Sequence, residues 1–205
     1  SVACFWLQQV CHNKGGPGGG SSKDEKWHDF YAFNSTKVAE FPLVENRPVE
    51  WARRIDLLAQ QRTLSAPAAL VALAQQEGSP LSRSNLDAAK ARYAARMHQM
   101  IAVQEELDWH CYRLYGLVVL TLETDVPPEV APGERAFEIV MARRMAAGTF
   151  ETRWFEWLGV EPVLDVPNRW PAAYRQLVEQ RMALIESDRS IGLIETPGCK
   201  RRWET

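Results

Sequence analysis

The sequence predicts a mainly α protein, in which a small irregular α/β piece at the N-terminus precedes a long antiparallel helical hairpin and further C-terminal helices. Apolar residues recur at three- and four-residue spacing from Pro48 onward, which is the period of an amphipathic helix. A seven-residue repeat then joins Leu86, Tyr93, Met100, Leu107 and Leu114. Strand-type composition is confined to residues 1–45.

The composition bounds the possible classes of protein. The chain has 205 residues, of which 46% are hydrophobic, enough for one domain or two small ones with a buried core. A formal net charge of -2 excludes an overall basic coat for wrapping nucleic acid, but not a local basic face. No apolar run approaches the roughly 18 residues of a membrane-spanning helix, and no signal-peptide pattern is present, so we expect a cytoplasmic protein with no membrane partner. The chain opens at Ser1 within an apolar stretch, which indicates a piece of a longer protein.

Residues 1–45 form the irregular part of the prediction. Residues 1–13 are typical of the apolar end of a helix or strand that begins upstream, and the Gly-rich segment 14–22 predicts a flexible loop. Aromatic and β-branched residues between Trp27 and Leu43 predict short strands with a turn at Asn34 and Ser35.

Residues 46–123 predict a helical spacer. Pro48 suits the first turn of one helix, and Ser65 suits the N-cap of a second helix that ends near Gly78. A long helix is predicted over residues 84–115, ended by Gly116, and the rise per residue makes its seven-residue seam about 45 Å long. We expect its seven-residue seam to pack on the preceding helices as an antiparallel hairpin.

The C-terminal region, residues 134–205, is also predicted to be helical. Pro127, Pro128 and Pro132 mark a connector over residues 124–133 that precedes it. Helices are predicted over residues 134–147, 150–158 and 171–186, where glycines follow the first two and a proline opens the third.

The Gly-rich segment invites comparison with phosphate-binding loops. A P-loop requires glycine directly before its lysine and a hydroxyl residue directly after it, whereas Lys23 lies between Ser22 and Asp24, and the glycine spacing of a dinucleotide fingerprint is incomplete. Lys14, Lys23 and Lys26 beside a flexible backbone still suit contacts with nucleic-acid phosphates, although a plain surface loop is the stronger interpretation.

No group of residues forms a self-sufficient active site in the sequence. Glu105, Glu106 and Asp108 lie beside the seam on one predicted helix, where carboxylates are usually solvated or paired with cations rather than catalytic. Basic runs at residues 53–54, 143–144 and 200–202 are equally typical of helix salt bridges and phosphate contacts. We therefore assign no catalytic residue.

Four scattered cysteines without a CxxC pair favour reduced thiols. A metal site could be assembled only from residues whose spacing fits no zinc pattern, and we therefore predict no metal at Cys4, Cys11, His12, His110 and Cys111.

Several segments, in order along the chain, carry a resemblance to a known family. They are residues 1–15 (SVACFWLQQVCHNKG), 31–37 (YAFNSTK), 40–43 (EFPL), 48–56 (PVEWARRID), 104–109 (QEELDW), 112–117 (YRLYGL), 133–140 (GERAFEIV), 185–188 (IESD) and 200–203 (KRRW). Over nearly the whole chain they resemble part of the large adenine-specific DNA methyltransferases of bacterial phage defence. These are the PglX-like proteins of phage growth limitation and BREX systems, which are related to fused type II restriction–modification methyltransferases.

In that family a doubly wound domain binds S-adenosylmethionine, and an Asn-Pro-Pro-aromatic tetrapeptide holds the flipped adenine. This chain has only Val126, Pro127, Pro128 and Glu129 in a comparable run, so the resemblance implies no catalytic residue and no cofactor here, with S-adenosylmethionine bound elsewhere in the parent protein. It implies the end of a target-recognition region in residues 1–45, a helical spacer in residues 46–123 and a C-terminal helical region in residues 134–205.

The expected function is therefore DNA target recognition and scaffolding within an N6-adenine-specific DNA methyltransferase of a restriction or phage-defence system. Its expected partners are double-stranded DNA, the missing catalytic methyltransferase domain and other defence-system proteins. The candidate DNA contacts are Asn13, Lys14 and Lys23 around the Gly-rich loop, and Lys37 on the following strand. Two alternatives stay open: a helical protein–protein interaction module that docks through the seven-residue seam, and an enzyme with a metal at the cysteines and histidines.

Overall fold

One long helix organises the rest of the chain. The computed structural model describes residues 1–15, 29–78 and 80–203. In chain order, their elements are α1 (Val2–Val10), β1 (His12–Gly15), β2 (Phe30–Ala32), α2 (Ser35–Ala39), α3 (Val49–Thr63), α4 (Pro67–Glu77), α5 (Arg83–Leu114), α6 (Ala136–Ala146), α7 (Trp154–Leu158), α8 (Ala172–Ser187) and α9 (Arg189–Ile194). The mainly α class is confirmed, and none of the helices in these ranges is both long and apolar enough to cross a membrane.

The predicted antiparallel hairpin is present, with α3 packed against α5. The ring of Trp51 lies 6.3 Å from that of His110, and the guanidinium of Arg62 lies 4.0 Å above the ring of Tyr93. Because residue numbers rise along α3 as they fall along α5, the two helices run in opposite directions. The hydroxyl of Ser82 caps α5 by accepting the N–H of Asn85 at 3.1 Å. The 32 residues of α5 give it a length of about 48 Å.

Helix α5 is exposed where it begins and buried toward its end. Leu86, at the start of the seven-residue seam, is 40% exposed, whereas Ile101, Trp109 and Tyr112 have at most 1% exposure. The second half is enclosed by α3, α1 and segments of the C-terminal region. The seven-residue seam therefore accounts for only one of the several buried sides of α5.

The C-terminal region adds α6 to α9 around the buried half of α5. Helices α6 and α8 pack together, and α9 packs on α8. The rings of Phe137 and Trp154 meet edge to face at 5.9 Å inside this core. The three predicted helices are present: α6 and α7 are shorter than predicted, and α8 is shifted by one residue. Helix α9 was not predicted; the carboxylate of Asp188 caps it by accepting the N–H groups of Ser190 and Ile191.

The N-terminal part contains α1, the β1–β2 ribbon and α2. The prediction of strands up to residue 43 is wrong beyond β2, because Ser35–Ala39 is a helix. The side chain of Asn34 accepts the N–H of Lys37 at 2.8 Å, so the predicted turn is a helix N-cap. Most of the Gly-rich segment, residues 16–22, lies outside the described residues.

Candidate functional site

The two-stranded ribbon presents part of the predicted DNA-contact region. Strands β1 and β2 pair antiparallel, with Asn13 opposite Tyr31 and Gly15 opposite Phe30. The register shifts between Asn13 and Gly15, so Lys14 is the extra residue of a β-bulge. Bulges redirect side chains at the edges of sheets, and the side chain of Lys14 is exposed to solvent.

The candidate residues Asn13 and Lys14 lie next to each other on β1, and both are exposed. The side-chain amide of Asn13 donates to the carboxylate of Asp29 at 2.9 Å, across the mouth of the ribbon. The third candidate of this group, Lys23, lies outside the described residues.

The fourth candidate, Lys37, lies on α2 and not on a strand. Its ammonium forms a 2.7 Å ion pair with Glu40, and its side chain is 38% exposed. Pairs of this kind at a surface contribute little to stability, so the ammonium can change partners at small cost. The structure thus places Lys37 on an element separate from the ribbon, packed beside α1.

Exposed aromatic side chains flank the ribbon, and they are not among the DNA contacts predicted from the sequence. Phe30 is 59% exposed and Phe33 is 54% exposed, and Phe33 stacks on Tyr31 with ring centroids 6.1 Å apart. The aromatic run is visible in the sequence, but aromatic residues in a strand usually indicate a buried face. A ribbon of two strands cannot bury both of its faces, but the number of strands is known only from the structure.

The helix that precedes the ribbon is fixed to the rest of the protein. The ring of Trp6 contacts that of Phe41 at 5.5 Å, and Phe41 contacts Tyr115 at the end of α5 at 5.9 Å. The side-chain amide of Gln8 donates to the carbonyl of Gly198 at 2.7 Å. The ribbon is therefore attached to the end of α5 and to the C-terminal segment.

A buried ion pair joins α5 to α8. Glu106 and Arg181 have side chains with at most 1% exposure, and their atoms approach to 2.6 Å. The Glu106 carboxylate also accepts the Tyr174 hydroxyl at 3.0 Å and the N–H of Thr124 at 2.8 Å, while Arg181 donates to the carbonyl of Leu122 at 2.6 Å. Burial disfavours the charged guanidinium, but Glu106 outweighs it and holds the pKa of Arg181 above its ordinary value.

A second buried cluster surrounds the ammonium of Lys200. This nitrogen lies 2.8 Å from Glu105 and 2.9 Å from both Asp108 and Glu195, and the lysine side chain is fully buried. The hydroxyl of Tyr112 donates to Glu195. Burial opposes the charge of Lys200, but the three carboxylates raise its pKa above the ordinary value.

Glu105 is the least well satisfied member of this cluster. Its carboxylate contacts the ammonium, yet neither of its oxygens accepts a hydrogen bond of good geometry. Burial raises the pKa of Glu105 to about 7, although Lys200 opposes the shift. The amine of Ser1 also pairs with Asp108, at 3.0 Å, so three carboxylates face two ammonium groups. Negative charge remains in excess, and a proton on Glu105 relieves it.

A third cluster, around Glu138, fixes the start of α6. Its carboxylate accepts the indole N–H of Trp154 at 2.9 Å, the guanidinium of Arg135 at 2.7 Å and the N–H of Gly133 at 3.0 Å. Arg135 in turn donates to the carbonyl of Arg201 at 2.9 Å, which holds the C-terminal segment against α6.

These clusters stabilise the packing of the C-terminal region; they do not resemble an acid–base pair open to a substrate. The prediction that Glu105, Glu106 and Asp108 pair with cations is confirmed, whereas the alternative of a solvated flank is wrong. Lys200 of the basic tail is a buried, internal ion-pair partner. Over residues 1–15, 29–78 and 80–203, no group of three or more His, Cys, Asp or Glu side chains is placed to hold a metal ion.

Glu105→Gln is expected to raise the melting temperature at pH 8, by on the order of 5 °C, and to change it little at pH 5. On folding, the pKa of Glu105 rises from its ordinary value of 4.5 to about 7, so the folded state takes up a proton at pH values between these two. Its stability therefore falls as the pH rises through this window, and the neutral amide avoids that loss. Thermal melts from pH 5 to pH 8 measure the effect. The exposed Glu179→Gln serves as control, and a lower melting temperature of Glu105→Gln at pH 8 would contradict this account.

Comparison with known proteins identifies the family. The chain is 41% identical over 216 residues to the adenine-specific methyltransferase PglX of Streptomyces coelicolor, and the alignment covers 100% of this chain but 17% of that protein. The resemblance to PglX-like proteins is therefore confirmed, although this chain spans only about a sixth of the relative's length. No solved structure matches the chain. A family model described as a domain of unknown function, DUF7008, matches residues 100–205, which hold all three charge clusters, and the chain therefore belongs to the DUF7008 family.

Proposed function

We propose that this chain is a DNA target-recognition and scaffold portion of an N6-adenine-specific DNA methyltransferase that acts in the cytoplasm in restriction or phage defence, such as a BREX system. The observation that carries the proposal is the exposed surface of the ribbon, where Lys14 at a bulge lies beside the exposed ring of Phe30. The relative named as an adenine-specific methyltransferase supports DNA as the ligand. Methyl transfer then belongs to another part of the parent protein, which binds S-adenosylmethionine.

The proposed division of labour follows the chain. Residues 1–45 are the end of a recognition region, residues 46–123 a helical spacer and residues 134–205 a C-terminal support. The contacts of Trp6 and Gln8 support this division, because a recognition surface must be held rigidly relative to the catalytic site. The catalytic domain of the parent and other defence-system proteins are its proposed protein partners.

The chemistry of the ribbon suits double-stranded DNA. Ammonium groups of Lys14, Lys23 and Lys37 neutralise phosphates, and an asparagine such as Asn13 pairs with base edges. The amide of Asn13 exchanges its bond to Asp29 for a base when DNA binds. An exposed phenylalanine makes apolar contact with thymine methyl groups in the major groove.

Replacing Lys14 and Lys23 by alanine is expected to weaken binding of duplex DNA and to reduce the slope of log affinity against log salt by about one per residue. A fluorescence titration at several salt concentrations measures both quantities. Arg83→Ala is the matched control, because this exposed cation lies at the opposite end of α5 from the ribbon. Binding that is absent in the wild type, or unchanged in the variants, contradicts the assigned DNA surface.

The non-catalytic assignment has its own test. Purified chain incubated with duplex DNA and labelled S-adenosylmethionine is expected to transfer no methyl groups. Measurable transfer to adenine would overturn the assignment, because it requires a catalytic site within these 205 residues.

A helical protein-interaction module is the second candidate, favoured by the tip of the hairpin. Helix α4 buries none of its residues, although its sequence is apolar. Leu73 is 50% exposed and Leu81 is 39% exposed, and both line a shallow cavity of about 200 Å³ between α4 and the start of α5. A dimer in sedimentation experiments that dissociates in Leu73→Asp would favour this module, and a monomer at all concentrations would argue against self-association through the tip.

A further inference from the structure

Two cysteines from opposite ends of the chain share one set of polar neighbours. The Cys4 thiol on α1 donates to the carbonyl of Gly198 at 3.5 Å, and the Cys199 thiol donates to the side-chain oxygen of Gln8 at 3.6 Å. The amide nitrogen of Gln8 completes the cluster, donating to Gly198 at 2.7 Å and to the Cys4 sulfur at 3.5 Å. Both sulfurs therefore lie at the same junction between α1 and the C-terminal segment.

The two thiols differ in their access to solvent. Cys4 is half-buried, whereas Cys199 is only 6% exposed. A small oxidant can therefore reach Cys4 more readily than Cys199. This is the arrangement of a reactive cysteine with a resolving partner.

We propose that Cys4 and Cys199 form a reversible disulfide when the protein meets a peroxide, and that this bond locks α1 to the C-terminal segment. The inference concerns contacts within the chain and does not depend on DNA binding. If the proposed function is correct, the bond also fixes the base of the recognition ribbon.

The reaction balances with one peroxide. The Cys4 thiolate attacks a peroxide oxygen and the O–O bond breaks; the departing oxygen takes up a proton as water and leaves a sulfenic acid on Cys4. The Cys199 thiol then loses its proton, its sulfur attacks the Cys4 sulfur, and the S–O bond breaks to release a second water. Two thiols and one hydrogen peroxide give one disulfide and two waters, with the sulfurs oxidised and the peroxide oxygens reduced.

The electrostatics of the junction support this order of events. The neighbouring Cys199 thiol favours the thiolate form of Cys4 and lowers the pKa of Cys4 to about 7, while the same interaction raises the pKa of Cys199 above its ordinary value. Cys111 differs, because burial raises its pKa to about 11. At neutral pH, Cys4 therefore carries more thiolate than Cys111 and is the expected site of attack.

The test treats the reduced 205-residue chain with hydrogen peroxide and maps its peptides without reduction. The expected product is a peptide pair joined through Cys4 and Cys199, two hydrogen atoms lighter than the separate peptides and released by dithiothreitol. Because the bond closes a loop of almost the whole chain, the oxidised protein is expected to melt roughly 5–10 °C higher than the reduced one. Cys4→Ser abolishes both effects, and Cys111→Ser retains them.

Three results would overturn the proposal: no cross-link, a cross-link through Cys11 or Cys111, or a sulfinic acid on Cys4 with Cys199 still reduced. Cys199→Ser gives the reciprocal check. If the Cys199→Ser substitution prevents folding, the Cys4→Ser variant alone tests the proposal. Cys4 is half-buried, and a serine at this position keeps the hydrogen bond to Gly198.

Discussion

Arg181→Met is expected to lower the free energy of unfolding by about 3–5 kcal/mol, the cost of leaving a buried charge without its partner. The substitution keeps the length and apolar stem of the side chain but leaves the Glu106 carboxylate without a cation, in a site with no exposure. It also removes the donor to the carbonyl of Leu122. We expect the melting temperature to fall by roughly 10 °C.

The midpoint of urea unfolding measures this loss. Arg53→Met is the matched control, because Arg53 forms its ion pair with Glu50 at the surface, where the two side chains are 70% and 80% exposed. The free energy of unfolding of the Arg53→Met variant is expected to fall by no more than about 0.5 kcal/mol. The double variant Arg181→Met with Glu106→Gln should recover part of the loss, since no charge is left buried. A loss below about 1 kcal/mol in Arg181→Met would contradict the assigned role of the pair.

Lys200→Met is expected to cost about 3–5 kcal/mol at pH 8 and less at pH 5. The substitution removes the cation shared by Glu105, Asp108 and Glu195. Without the ammonium, the pKa values of Glu105 and Asp108 rise, because Lys200 lowers both of them in the wild type. Protonation at acidic pH then relieves the repulsion within the cluster, and the penalty grows with pH. The raised pKa of Lys200 keeps it charged across this range in the wild type, so the pH dependence belongs to the carboxylates.

Unfolding curves of both proteins at the two pH values test this prediction. Arg201→Met is the control from the neighbouring position, where the exposed guanidinium lies 4.4 Å from the centre of the Trp203 ring. The free energy of unfolding of the Arg201→Met variant is expected to fall by about 1 kcal/mol at either pH. An equal penalty for Lys200→Met at pH 5 and pH 8 would show that the carboxylates do not repel one another.

The C-terminal segment connects these effects to the β1–β2 ribbon. Gly198 accepts a hydrogen bond from Gln8 on α1, Lys200 pairs with carboxylates of α5, and the carbonyl of Arg201 accepts from Arg135 before α6. Three parts of the chain thus meet on one short segment. Loss of the Lys200 cluster is therefore expected to loosen α1 as well as the DUF7008 region.

The helices could be predicted where their signals are local. Helix α5 was predicted to within one residue at each end, because its seven-residue period and the Gly116 that follows it are local signals. Helix α2 was missed because asparagine serves both turns and helix N-caps, and Asn34 alone does not distinguish them. The exposed rings of Phe30 and Phe33 were missed because the sequence does not say how many strands cover a face.

The burial of charge could not be predicted. Glu106 and Asp108 were expected either on a solvated flank or in ion pairs; they are paired, but the pairs lie inside the protein. Their cations, Arg181 and Lys200, follow 75 and 92 residues later. No local pattern links residues at such separations, so only the packing of α8 and the C-terminal segment assigns the partners.

By itself, the sequence determined the helical class, the bounds of α5, the resemblance to PglX-like methyltransferases and the lack of their Asn-Pro-Pro-aromatic tetrapeptide. These features depend on the spacing and the order of residues, which can be read directly from the sequence. The tertiary structure alone decided which sides of α5 are buried, that Lys200 is an internal cation, and that Cys4 meets Cys199. Such contacts arise when distant segments exclude water from the same space, and their energies depend on neighbours that no sequence window contains.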